Sequence, residues 1–390
     1  MKKAPLYLLV FIAIQTTFAQ DLTRVITTGV PFLLVAADAR SAGMADQGVA
    51  TSADAFSQQY NPAKYAFSLE KQGFSVSYTP YLTDLVNDIS LAQLNYFNRI
   101  DDRMAWAGSI RYFGLGEIEL RETADGPVTK VSPNEFAIDG SYALKLSERF
   151  SMAVAGRFIN SNLRIVDANG DATAANTFAV DVAAFYQSEE LSFSDFDGRI
   201  RAGINFQNMG PKISYDADEI TANFLPANMK VGSGFDFILD EYNKIGLNVE
   251  FSKLMVPTPQ DAVDIDGNGT ISQSEKDQNY NDYRKIGWTS GIFQSFGDAP
   301  GGFSEELKEF TYSVGTEYNY QESFAMRLGY FHESEFKGAR KFFSLGAGFK
   351  YNVVAVDVSY LFSASRIRNP LENTLRFSLT FNFGDKYDEY

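Results

Sequence analysis

Residues 375–384 read LRFSLTFNFG, so Leu375, Phe377, Leu379, Phe381 and Phe383 alternate with Arg376, Ser378, Thr380 and Asn382. Successive side chains of a strand point to opposite faces, which gives this segment one wholly apolar face and one polar face that carries a charge. The same period returns along the chain. Phe136, Ile138, Tyr142, Leu144 and Leu146 oppose Ala137, Asp139, Ser141 and Lys145, while Met152, Val154 and Phe158 oppose Ser151, Ala155 and Arg157. Phe178, Val180, Val182 and Tyr186 oppose Ala179, Asp181 and Ala183, and Val356, Val358, Tyr360 and Phe362 oppose Asp357 and Ser359.

A soluble sandwich alternates too, with its polar face in water. The connections separate the two cases. Tight links near 100–102, 147–149, 241–242, 320–322 and 352 take turns with long polar ones at 121–132, 164–175, 210–225, 256–287 and 333–340, and the turn at 189–197 is intermediate. Short turns at one end and long loops at the other are the pattern of an outer-membrane barrel. The spacing predicts an all-β transmembrane antiparallel barrel of about 14 strands over 73–384, each long enough for a tilted crossing. The apolar face of 375–384 then meets lipid and its polar face the interior. Because lipid cannot satisfy an open strand edge, the last strand must pair with the first. Long loops are expected outside the cell, with both termini and the tail 385–390 in the periplasm.

Lys2 and Lys3, the apolar run Leu6 to Ile14 and Thr17-Phe18-Ala19 read as an export signal over residues 1–19. The chain contains no cysteine, which excludes a lipid anchor on that residue, disulfides and thiolate metal sites. Without the two signal lysines the net charge passes from −15 to −17, a poor match to nucleic acid or anionic headgroups. The 34 phenylalanines and 21 tyrosines suit strands and membrane interfaces. Residues 20–72 lack alternation and are rich in Ala, Ser and Gly, as in AADARSAGMADQGVA. They are expected to form a small, partly helical plug in the lumen.

Within 256–287, DIDGNGTISQSE fits a twelve-residue calcium loop. Asp264, Asp266 and Asn268 stand at its positions 1, 3 and 5, Gly269 at the turn, Thr270 at the carbonyl position, Ser272 at 9 and Glu275 at the bidentate position 12. Pro257 and Pro259 lie just upstream, so no entering helix is expected. Catalysis is not expected: the sole histidine, His332, is followed by Glu333, and adjacent strand residues face opposite ways.

The motif NPAKYAF, with Asn61, Pro62 and Ala63, resembles the plug of FadL-type barrels. FLPANMKVG, SKLMVPTP, SFGDAPGGFSEELKEF, MRLGYFHE, KFFSLGAGFKYN and NPLENTLRFSL resemble the PorV (LptO) family, the FadL-like outer-membrane component of the type IX secretion system. The resemblance covers nearly the whole chain after residue 19. It implies a non-enzymatic shuttle that binds the C-terminal signal domains of secreted proteins and carries them from the translocon barrel to the surface sortase complex. Asp298, Pro300 and Phe303, with Asn369, Pro370 and Leu371, belong to outer elements that either help form the docking surface for translocon, substrate or sortase or fold the loops that close the top of the barrel. The segment DAVDIDGNGTISQSEKDQNYNDYRK departs from the family's pattern. The rival expectation is a FadL-like channel for hydrophobic small molecules, against which stand the charges assigned to the lumen, among them Asp139, Lys145, Arg157, Asp181, Lys350, Asp357 and Arg376.

Overall fold

The computed structural model describes residues 24–82, 86, 88–121, 128–163, 174–215, 222–365 and 371–387. Among them, 14 long strands pair antiparallel with their chain neighbours: β1 Glu70–Pro80, β2 Ile89–Arg99, β3 Met104–Leu115, β4 Asn134–Ser147, β5 Phe150–Asn162, β6 Ala175–Gln187 and β7 Asp197–Met209 form one half. The other half is β8 Asn228–Ile238, β9 Asn243–Leu254, β10 Thr311–Tyr320, β11 Phe324–His332, β12 Lys341–Tyr351, β13 Val354–Ser363 and β14 Leu375–Lys386. β14 pairs with β1 through Phe381 opposite Phe74, Leu379 opposite Val76 and Phe377 opposite Tyr78, so the sheet closes on itself.

The alternation read from 375–384 sets the faces. Leu375, Phe377 and Phe383 point outward and are exposed, whereas Arg376, Ser378 and Thr380 point inward and are buried. The same holds for outward Ile138, Tyr142, Val154 and Phe178 against inward Asp139, Ser141, Ala155 and Asp181. Apolar side chains lie on the outside because their solvent there is hydrocarbon, and the closed ladder leaves no strand edge open among the described residues. A chain ended before Leu375 loses both ladders of β14, and it is expected to give no compact, heat-modifiable band on a gel of unboiled membranes.

The interior is filled by residues 28–68. Two short helices, α1 Ala39–Gly43 and α2 Ser57–Tyr60, and two 3-10 turns, Pro31–Leu34 and Pro62–Phe67, carry a little under half of this segment. Local chemistry explains them. Asp38 caps α1 by accepting from the Ser41 amide at 2.8 Å. Asn61 caps the second 3-10 turn, with Pro62 at its first position, and accepts from the Ala63 amide at 3.1 Å. Its Nδ2 donates to the carbonyls of Val49 and, on β6, Ala184.

Strands on every side hold this segment. The amides of Ala39 and Ala45 donate to Ser378 on β14 and Ser344 on β12, and those of Gly48 and Val49 donate to Glu250 on β9 at 2.8 and 2.9 Å. Asn205 on β7, Arg111 on β3 and Thr79 on β1 donate to the carbonyls of Tyr60, Phe32 and Ala37. Ion pairs join in: Arg40 meets Glu317 at 2.8 Å and Asp54 at 2.5 Å, and Arg376 meets Asp46 at 2.8 Å. Contact is closest at Gly203 and Gly329, where an added Cβ would lie 2.1 Å from the Val49 carbonyl oxygen and 2.4 Å from the Ala45 amide nitrogen. Phe32 and Leu33 pack among Leu91, Phe113 and Ile159, and Leu33 also borders a small polar cavity with Gln59, Arg111 and Arg157.

The chain runs through the barrel in one direction. Arg24 lies against the long connection between β9 and β10, and Gly29 donates to Phe224 in the connection between β7 and β8. The segment then descends to Ser68 and enters β1 at the end with the short turns, where the Tyr387 amide donates to Leu69 at 2.7 Å. The first and last described residues, Arg24 and Tyr387, stand at opposite mouths, and the chain ends expected to share one side lie outside the described residues. Composition signals a plug but carries no information on its direction.

Candidate functional site

The connection 255–310 between β9 and β10 holds three helices: α3 Gln273–Lys285, α4 Trp288–Gln294 and α5 Phe303–Lys308. In α5 the usual arrangement is inverted. Glu305 and Glu306 turn inward and are buried, while Phe303 and Leu307, one turn apart on the helix, turn out; Phe303 is 78% exposed. Phe293 on α4 is 81% exposed.

What pulls the acids inward is a buried ion network. Lys253, at the end of β9, meets Glu306 at 2.9 Å and Glu309; Lys337, from the connection between β11 and β12, meets Glu305 at 2.7 Å and Glu309 at 2.9 Å. Thr258 donates to Glu309 at 2.6 Å. Burial alone would raise the Glu309 carboxyl, but hydrogen bonds from Lys253, Thr258 and Lys337 outweigh it and hold the group below its ordinary value. Arg24 reaches the same cluster, pairing with Glu305 at 2.8 Å and with Asp261. Four separate stretches of chain are thus tied together beneath the exposed aromatics.

The acidic loop precedes α3 directly. Carboxylate oxygens of Asp264, Asp266 and Glu275 converge within 4.8 Å of one another. Gly267 and Gly269 adopt φ of 72° and 80°, which lets the chain curl so that the amides of Gly267 and Gly269 each reach Asp264 at 2.7 Å. Asn268 accepts from the Thr270 amide, and Ser272 caps α3 in a reciprocal capping box with Glu275. Hydrogen bonds from the Ser272 amide and hydroxyl and the Ile265 amide hold the Glu275 carboxyl down to about 2. No helix enters the loop; one leaves it. An all-oxygen donor set around one point suits a hard divalent cation.

The other sequence-selected residues separate. Pro300 is exposed beside α5, whereas Asp298 is half-buried and accepts from the Thr258 amide at 3.0 Å, with burial pushing its carboxyl up. Asn369 and Pro370 lie outside the described residues. Leu371 requires correction: it is 7% exposed, packed with Ala45, Phe342 and Leu361, and offers no docking surface. His332 stacks on Tyr312 with ring centroids 4.7 Å apart, while Glu333 pairs with Arg340. Sequence reasoning missed Phe293 and the Lys253, Lys337 and Glu309 cluster; the only local signal was an acidic pair set between Phe303 and Leu307.

A closed 14-strand antiparallel barrel with an apolar outer wall and a charged lumen is an outer-membrane protein. Residues 18–261, well over half of the chain, match the family model for the type IX secretion system protein PorV, and the chain belongs to that family. The match ends at Asp261, three residues before the acidic loop begins. No curated protein sequence matches. Among solved structures the chain resembles the Pseudomonas putida toluene transporter TodX, with 12% identity, a TM-score of 0.48, and 92% of this chain and 98% of that one covered. It also resembles the Ralstonia pickettii toluene transporter TbuX, with 11% identity, a TM-score of 0.46, and coverage of 90% and 100%. A Pseudomonas aeruginosa FadL homologue aligns with 10% identity, a TM-score of 0.43, and coverage of 89% and 98%.

Proposed function

We propose that this barrel is a carrier of the type IX secretion system, which holds the C-terminal signal domains of secreted proteins on its extracellular long loops and hands them from the translocon barrel to the surface sortase complex. One observation carries the reading: Phe293 on α4 and Phe303 on α5 are held out of the protein, and α5 is fixed from below by ion pairs, an arrangement whose exposed aromatics gain a partner only by docking. The connection 255–310 has ten acidic and four basic residues, a net −6, so a fitting partner presents an apolar face with a cationic rim. The lumen supports a carrier over an uptake channel, because its plug is bonded to the wall on all sides and its buried lining includes Asp139, Arg157, Asp181, Arg327 and Asp357. On this reading residues 1–19 are the export signal, residues 20–72 the plug, and the C-terminal tail is periplasmic. Affinity purification from detergent-solubilised outer membranes tests it: translocon and full-length secreted substrates should co-purify. A preparation that carries lipid alone would overturn the carrier reading.

Calcium belongs to the same proposal. Asp264, Asp266, Asn268 and Ser272 would supply side-chain oxygens, Thr270 its carbonyl and Glu275 both carboxylate oxygens, and the ion would fix the loop at the foot of α3. Isothermal titration of the folded protein in detergent should show one Ca²⁺ site, and Asp264→Ala should weaken it by about a hundredfold, as for loss of a charged ligand in such a loop. No heat at millimolar Ca²⁺ would remove the site.

A further inference from the structure

At the mouth opposite the long loops, Arg99 ends β2 and Lys145 stands near the end of β4. Both are buried, at 4% and 7% exposure, and with Phe67, Leu69 and Tyr387 they line a cavity of about 300 Å³ bordered by the short turns. A buried cation without a counter-charge is strongly unfavourable. Other buried lumen cations find a carboxylate or a neutral acceptor: Arg157 meets Asp139 and Asp181, Arg201 meets Asp236, Arg327 meets Glu317 and Asp357, Arg111 donates to Gln93 and to the carbonyls of Phe32 and Leu33, and Lys64 donates to Thr51.

Lys145 does not. Among the described residues its ammonium has neither a hydrogen-bond acceptor nor an ion pair, and its neighbour is the Phe67 ring, 4.7 Å away. Arg99 gives Nη1 and Nη2 to the carbonyls of Ser68 and Asp102, its Nε has no acceptor, and the Tyr387 ring lies 3.7 Å from its guanidinium carbon. Asp102 and Glu148 border the cavity without reaching ion-pairing distance of either cation, and Arg149 is already taken by Glu189 at 2.5 Å.

Two under-compensated cations set beside a phenyl ring, a leucine and a phenol form recognition chemistry for one negative charge on an apolar group. We propose that this cavity binds an organic monocarboxylate, with the C-terminal carboxylate of a peptide ending in an apolar residue as the form that fits both walls and charge. Lys145 takes the carboxylate, Arg99 adds field, and Phe67, Leu69 and Tyr387 receive the side chain. Asp102 and Glu148 stand against a dianion. A volume near the lower limit of small-ligand sites admits one terminal residue, not a domain. This site lies at the other end of the barrel from the docking loops, so either can fail alone.

Equilibrium dialysis of the full-length protein in detergent tests it, with N-acetylphenylalanine, its amide and inorganic phosphate as probes. The acid should bind and the amide should not; Lys145→Met should weaken the acid by about tenfold or more, and Lys145→Arg should keep most of it, as expected for a charge-assisted contact. Heat-modifiable gel mobility checks that each variant is folded. Equal binding of acid and amide, wild-type affinity in the folded Lys145→Met protein, or phosphate displacing the acid at equal concentration would each overturn the assignment.

Discussion

Replacing Glu317 by leucine is expected to lower the stability of the folded barrel by about 3–5 kcal/mol, the cost of removing one partner from a buried charge cluster. Glu317 is buried on β10 between two guanidinium groups, Arg40 of the plug at 2.8 Å and Arg327 of β11 at 2.5 Å. Each arginine keeps one other carboxylate, Asp54 and Asp357, yet the two positive charges then face one another with nothing between them. The fall should appear as a lower urea midpoint for the heat-modifiable band. Removing Arg40 together with Glu317 should restore part of it, because contacting groups do not act additively. An unchanged midpoint in the single variant would mean that the plug network does not hold the wall.

Changing Phe293 and Phe303 together to serine is expected to leave that midpoint where it was, since both rings are exposed, and to abolish co-purification of secreted substrates. Aromatic anchors in the centre of an interface contribute about 2 kcal/mol or more each, so losing both should reduce capture well over tenfold. Quantitative mass spectrometry of the purified barrel reads this directly. Full capture by the double variant would dissociate α4 and α5 from the carrier surface. The comparison with Glu317→Leu is informative because one change acts on stability and the other on recognition.

Much of the fold was legible because lipid imposes a strict rule. Every second residue of a crossing strand must be apolar, so Phe377, Leu379 and Phe381 announce their face without any knowledge of neighbours. The length of the links then gives the two ends. Long-range pairing around the loops follows no such period: nothing near Lys253 or Lys337 indicates that both meet Glu309, because Lys253 ends β9, Glu309 stands at the far end of the connection that follows, and Lys337 belongs to another connection. Leu371 shows the same difficulty in reverse. An isolated apolar residue among turn formers reads as exposed, and only the fold brings Ala45, Phe342 and Leu361 around it. The acidic loop was readable for the opposite reason, since all its oxygens come from twelve consecutive residues.

The path of residues 24–69 through the bore bears on how little change the barrel wall tolerates. This cord occupies the cylinder from one mouth to the other, and at Gly203 and Gly329 it touches the wall with no clearance for even a methyl group. Cask and stopper are cut to one measure at these two points, and a methyl group at either glycine should push the stopper off the staves.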